Sequence, residues 1–265
     1  MKTILVPVSS FENGISTLQY AVDFAEQVSA EVYVLKVFDA SVVPGSLKTV
    51  GPLLKENAKL ELKNLVQNIN KKNVEIVATT MKGTLVDCIH LLMEKIDVDL
   101  IISTSNRIAK DETIFIGKIT GNIIENIDCP ILVIPENYIF KKINHIFMAI
   151  KSGVIMRENV LKPLSLILHS FNATLKLFQV ITPNLKPDDL IINAELSDLA
   201  SSIDTSENAT VYQGILEHLH EIEPDMICVI RRKRGFFSKI LSQHIVKKVD
   251  FESRVPLLVL KGAAV

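Results

Sequence analysis

The feature that most constrains this chain is an alternation between short apolar runs and stretches whose apolar residues recur every three or four positions. Residues 3–8 (TILVPV) form a run of the first kind, and Leu18, Ala21, Val22, Ala25 and Val28 follow at helical spacing. A short run without polar alternation suits a strand covered on both faces, whereas the second pattern suits a helix with one buried face. The alternation continues with a strand at 32–38, then a helix through Leu54, Ala58, Leu62, Leu65 and Ile69, and a strand at 74–80. Gly83 introduces a helix with Leu85, Cys88, Ile89 and Leu92, followed by a strand at 99–103 (DLIIS), a connection over 104–116 and a helix marked by Ile119, Ile123 and Ile127. A strand at 130–134 (PILVI) closes the series. Strands separated by helices imply right-handed crossovers and a parallel sheet.

The pattern then restarts. Residues 145–150 (HIFMAI) match the first strand, and Val160, Leu164, Ile167, Leu168 and Phe171 form a helical face. Pro163 lies inside that face, so the helix either begins late or kinks there. A strand at 174–181, a reduced helix near 190–203 and a third strand at 209–212 are expected next. Residues 225–230 (DMICVI) parallel DLIIS, and 256–260 (PLLVL) parallel PILVI. Two copies of one unit, 1–137 and a shorter 142–263, joined by a linker at 140–144, account for the length. The expected fold is α/β, with two tandem doubly wound domains, each a five-stranded parallel sheet flanked by helices.

Composition removes several function classes. The 29 Lys and Arg balance 30 Asp and Glu, so binding of nucleic acid over the whole surface has no electrostatic support. Trp is absent and aromatic residues make up 6%, which argues against single strands held by base stacking. No apolar run approaches the roughly 18 residues of a membrane span, and the N-terminal stretch broken by Pro7 reads as a strand and not as a leader. Cys88, Cys129 and Cys228 lie far apart in apolar surroundings, as expected for buried thiols in a reducing cytoplasm. His218 and His220 are two apart on an expected helix and face different ways, and the other histidines lack ligand-spaced partners. Asp198, Asp204, Glu221 and Glu223 include no pair placed for acid–base work, and no nucleophile, P-loop or zinc-protease motif occurs.

The chain resembles the universal stress protein family in its tandem form. The resemblance rests on ILVPV at the N-terminus, DLIIS, Gly117 and NIDCPILVIP at 126–135, and in the second half on DMICVI, RRKRGFFSKIL and SRVPLLVLKG at 253–262. It implies an intramolecular pseudo-dimer in which 131–134 pair antiparallel with 257–260, with a further homodimer permitted. It also implies a comparison with the ATP-binding members, where an aspartate after the first strand meets adenine and a motif G-x2-G-x9-G-[ST] meets phosphate. Gly117 matches the last glycine of that motif, but Thr104 and Arg107 stand at the earlier two, Lys118 at the Ser/Thr and Ser9 at the aspartate. In the second half Ile230, Lys233, Gln243 and His244 occupy the loop and Lys151 the aspartate position, so nothing of the motif survives.

A side chain where only backbone fits hinders contact with a phosphate. Ser9, Ser103, Thr104, Ser105, Asn106, Gly117, Lys118 and Thr120 nevertheless collect hydroxyls, an amide and a cation at a strand carboxyl edge, where open α/β sheets bind ligands. Arg231, Arg232, Lys233 and Arg234 form the strongest charge run and are the candidate anion patch. The expected function is that of a cytoplasmic stress-response protein that binds a protein or small molecule without turnover. No cofactor or metal is required, and neither a membrane nor nucleic acid is an expected partner. The alternative is a switch that binds ATP or AMP, or a weak ATPase, using the first domain.

Overall fold

The computed structural model describes residues 1–9, 11–38, 51–105, 118–155, 157–183, 185–231 and 255–262. The first repeat contains β1 (Thr3–Val8), α1 (Phe11–Val28), β2 (Glu31–Phe38), α2 (Gly51–Gln67), β3 (Ile76–Lys82), α3 (Leu85–Met93), β4 (Leu100–Thr104), α4 (Lys118–Asn126) and β5 (Ile131–Ile134). The second contains β6 (His145–Ile150), α5 (Lys162–Phe171), β7 (Thr174–Ile181), a 3-10 turn (Pro187–Leu190), α6 (Ala194–Leu199), β8 (Ser202–Glu207), α7 (Val211–Ile222), β9 (Met226–Arg231) and β10 (Leu257–Lys261). No helix among the described residues is long and apolar enough to cross a membrane.

The chain divides into two compact units, one made of residues 1–104 and 136–140 and the other of 105–135 and 141–265. In the first unit the strands lie in the order β3-β2-β1-β4, all parallel. Chain order reverses between β1 and β4, which makes their carboxyl ends a topological switch point. Ile4, Leu5 and Val6 of β1 and Leu100, Ile101 and Ile102 of β4 have no exposed surface. The apolar stripe expected of α1 is likewise closed, with Leu18, Ala21, Val22 and Ala25 at 0% exposure. Burying one such aliphatic side chain contributes about 1.5–3 kcal/mol. Residues 136–140 return to this unit through Tyr138 and Phe140, whose rings lie 6.0 and 5.3 Å from that of Tyr20 on α1.

The second unit has the order β5-β10-β9-β6-β7-β8. Five strands run parallel, and β5 runs antiparallel to β10 with Leu257 opposite Val133, Leu258 opposite Leu132 and Val259 opposite Ile131. This is the pairing that the family resemblance implies. Both strands are wholly buried, and apart from Lys261 at the end of β10 they are apolar, so each covers an edge that would otherwise invite aggregation.

The two repeats are built alike down to single hydrogen bonds. In the first, the Asp99 carboxylate accepts from the amides of Lys2 (2.6 Å) and Thr3 (3.1 Å), while the Asp99 amide donates to the Thr3 carbonyl (3.0 Å). In the second, the Asp225 carboxylate accepts from Asn144 (2.7 Å) and His145 (2.9 Å), while the Asp225 amide donates to the His145 carbonyl (2.9 Å). An aspartate before each fourth strand thus starts the ladder with its first strand.

The second repeat departs from expectation in one stretch. Its third strand is β8 and not residues 209–212, which lead into α7 and hold its cap and first two residues. The residues of β8, SIDTSE, are mostly exposed because β8 ends the strand order, so the apolar pattern of a covered strand is missing. Thr210 is instead the N-cap of α7, its hydroxyl accepting from the Gln213 amide at 3.1 Å. Pro163 sits in the first turn of α5, where its missing N–H costs nothing. The three cysteines are free and buried.

Replacing Asp99 or Asp225 by Ala leaves two main-chain donors without their acceptor. Because the freed donors are largely exposed and can turn to water, each change is expected to cost about 0.5–1.5 kcal/mol, with the two costs equal within error in urea denaturation. A loss below about 0.5 kcal/mol for either, the range of ordinary surface substitutions, would show that the staple contributes nothing.

Candidate functional site at the strand carboxyl ends

At the switch point of the first unit, Ser9 follows β1 and is exposed, and its carbonyl accepts from the ammonium of Lys36. Lys36 lies inside the apolar run of β2, and its side chain is only 12% exposed. An ion pair of 2.9 Å with Glu61 of α2 compensates this near-burial. A lysine and a glutamate therefore stand beside the position where the family's ATP binders carry an aspartate. On β4, Ser103 and Thr104 are 5% and 7% exposed. The Thr17 hydroxyl of α1 donates to the Asn13 carbonyl at 2.6 Å, so the Thr104 hydroxyl is the donor in its contact with Thr17. This relay runs inward from strand to helix.

In the second unit, Ser105 is 7% exposed, with its amide 3.1 Å and its hydroxyl 3.4 Å from the Ile134 carbonyl of β5. Thr120 of α4 is 1% exposed. These four hydroxyl residues, expected to face a ligand, are therefore buried, and the hydroxyls of Thr104 and Ser105 serve internal bonds. Lys118 is the first residue of α4, but its side chain, Asn106 and Gly117 lie outside the described residues.

The carboxyl end of β6 is covered by its own chain. Residues 187–193 cross it as a strap: the Gly153 amide donates to the Asp189 carbonyl (2.9 Å) and the Asn193 amide to the Gly153 carbonyl (3.0 Å). Gln179 of β7, 3% exposed, donates to the same Asp189 carbonyl at 2.7 Å. A Cβ on Gly153 would lie 2.4 Å from the Ile191 oxygen and 2.4 Å from the Ile192 Cα, so only glycine admits the strap. Lys151, at the aspartate position of this repeat, is exposed, so its side chain does not fill the crevice.

The candidate anion patch groups Arg231 with Arg232, Lys233 and Arg234, and the last three lie outside the described residues. Arg231 itself donates to the Ile124 carbonyl at 2.6 Å and the Glu125 carbonyl at 2.8 Å, at the carboxyl end of α4. Lys261 of β10, 6% exposed, also donates to Ile124. Beyond them Asp128 pairs with Arg157 at 2.7 Å, and that bond holds its carboxyl below the ordinary aspartate range. The cations here cap a helix end, where the dipole is negative.

Sequence reasoning missed Lys36, Glu61, Thr17, Gly153 and Lys261. A signal existed for two of them: Lys36 and Lys261 each interrupt an apolar strand run, VYVLKVF and PLLVLKG, where a charge needs a dedicated partner.

Replacing Gly153 by Ala should force the strap off β6 at a cost of about 1–3 kcal/mol, as for other overpacked sites. Urea denaturation together with faster proteolysis within 187–193 measures it. Unchanged stability and unchanged cleavage would show that the strap is not held at Gly153.

A family model described as the universal stress protein family matches residues 1–135, half of the chain. A universal stress protein of Methanocaldococcus jannaschii is 28% identical over 140 residues, covering 51% of this chain and 82% of that one. The crystal structure of a universal stress protein from Archaeoglobus fulgidus superposes with a TM-score of 0.75 at 19% identity, over 98% of both chains. That of a putative universal stress protein from Pseudomonas aeruginosa does so with a TM-score of 0.58 at 14% identity, covering 99% of this chain and 94% of that one. At such identities the two structures share the fold with this chain, over both repeats. The chain belongs to the universal stress protein family.

Proposed function

We propose that the protein acts in the cytoplasmic stress response by binding a protein or small-molecule partner, without turnover and without a nucleotide cofactor. The observation that carries this reading is the strap on Gly153, which places the chain's own backbone across the strand ends of the second repeat. In the first repeat, the Lys36–Glu61 pair beside Ser9 and the inward Thr104–Thr17 relay support the same reading. An adenine pocket needs an apolar slot with a few convergent polar groups, and an ion pair of a nearly buried lysine with a half-exposed glutamate is not an apolar slot. Thr104 and Arg107 stand where glycines would let backbone approach a phosphate.

Calorimetric titration with ATP, ADP and AMP in the presence of magnesium tests the reading. No dissociation constant at or below about ten micromolar, on the order of −7 kcal/mol, is expected. A tighter constant would overturn it in favour of a nucleotide-binding switch or weak ATPase in the first repeat. Lys36→Ala would then be informative, since removing the ammonium from Ser9 should alter the affinity of any ligand held there.

A further inference from the structure

Lys261 and Arg231 are register partners on β10 and β9, and both donate to the Ile124 carbonyl at the end of α4. Two cations from neighbouring strands therefore share one acceptor oxygen. Lys261 is 6% exposed, so its charge gains little from water. Among the described residues, the charged and titratable groups that face it are Arg231, Asp128 and the Cys129 thiol. The Asp128 carboxylate is already bonded to the exposed Arg157 at 2.7 Å.

Such a pair resolves its repulsion in one direction only. A guanidinium keeps its proton at any pH a folded protein meets, whereas a buried ammonium gives its proton up readily. The neutral amine that results can still donate to the Ile124 carbonyl. We propose that Arg231 and Lys261 form a proton-linked clamp on α4, which tightens when Lys261 loses its proton and loosens when the proton returns. Burial, then repulsion from Arg231, push the Lys261 ammonium down to about 7, against the opposing pull of Cys129 and Asp128.

In the unfolded chain Lys261 titrates near its ordinary value of about 10.4. Between that value and about 7 the unfolded state binds more protons than the folded one, so stability rises with pH across this window. Below the window both states are protonated, and the full cost of the second buried cation is present. Acidification through neutrality thus weakens the hold on α4. That helix begins at Lys118, directly after the 104–117 segment that carries the candidate ligand residues.

The test is an NMR titration of the lysine side chains in the full chain, with amide exchange of α4 followed across the same pH range. The Lys261 side chain is expected to titrate near pH 7. After correction for the intrinsic rates, α4 amides should exchange about a hundredfold faster at pH 6 than at pH 9, the factor set by roughly two pH units of linkage between the midpoint near 7 and pH 9. Lys261→Met keeps the stem and removes the charge, so it should abolish that ratio and be the more stable protein at pH 6. A wild-type midpoint near 10, or a variant that retains the ratio, would overturn the clamp. Should the variant fail to fold, the wild-type midpoint decides alone.

Discussion

The pairing of β5 with β10 is the constraint on which the second unit depends. It joins the last strand of one repeat to the last strand of the other through antiparallel hydrogen bonds between two wholly buried strands. Because β5 is held there, α4 packs there too, and Arg231 and Lys261 close over its end. The boundary between compact units accordingly falls after Thr104, inside the first repeat, and not at the linker between repeats. A duplicated sequence has become a fold whose packing does not follow the duplication.

The same economy is visible at the strand ends, where open α/β sheets ordinarily bind ligands. Each repeat starts its ladder with the same aspartate staple, at the amino end of its first strand. The residues beyond each first strand then diverge. After β1 comes a serine whose carbonyl holds a lysine paired with a glutamate. After β6 comes a glycine that lets a strap lie across the sheet edge. Both edges are furnished from within the chain, by different means.

Most of the fold is legible in the sequence because covered parallel strands and one-faced helices leave distinct period signals. The signal fails where burial fails. The edge strand β8 carries almost no apolar pattern, and the Thr210 cap sits in a short stretch, ATVY, whose composition suits a strand. The site is less legible for a related reason. Hydroxyls at Thr104 and Ser105 have the right chemistry for a ligand, but periodicity does not show the internal bonds they make with Thr17 and Ile134. Motif spacing locates the departures at Thr104, Arg107 and Lys118 but does not reveal the groups that fill the space instead. Those depend on long-range contacts, Lys36 with Ser9 and Gly153 with the strap, between residues whose separation carries no pattern.

The central claim is that β5 is a working part of the second repeat's sheet. Native-state amide exchange under increasing urea tests it most directly, because it sorts strands by the unfolding event that exposes them. The amides of β5 should share the opening free energy and urea dependence of β9 and β10. Exchange of β5 in the class of β1 and β4, at a free energy distinct from that of β9 and β10, would contradict the account.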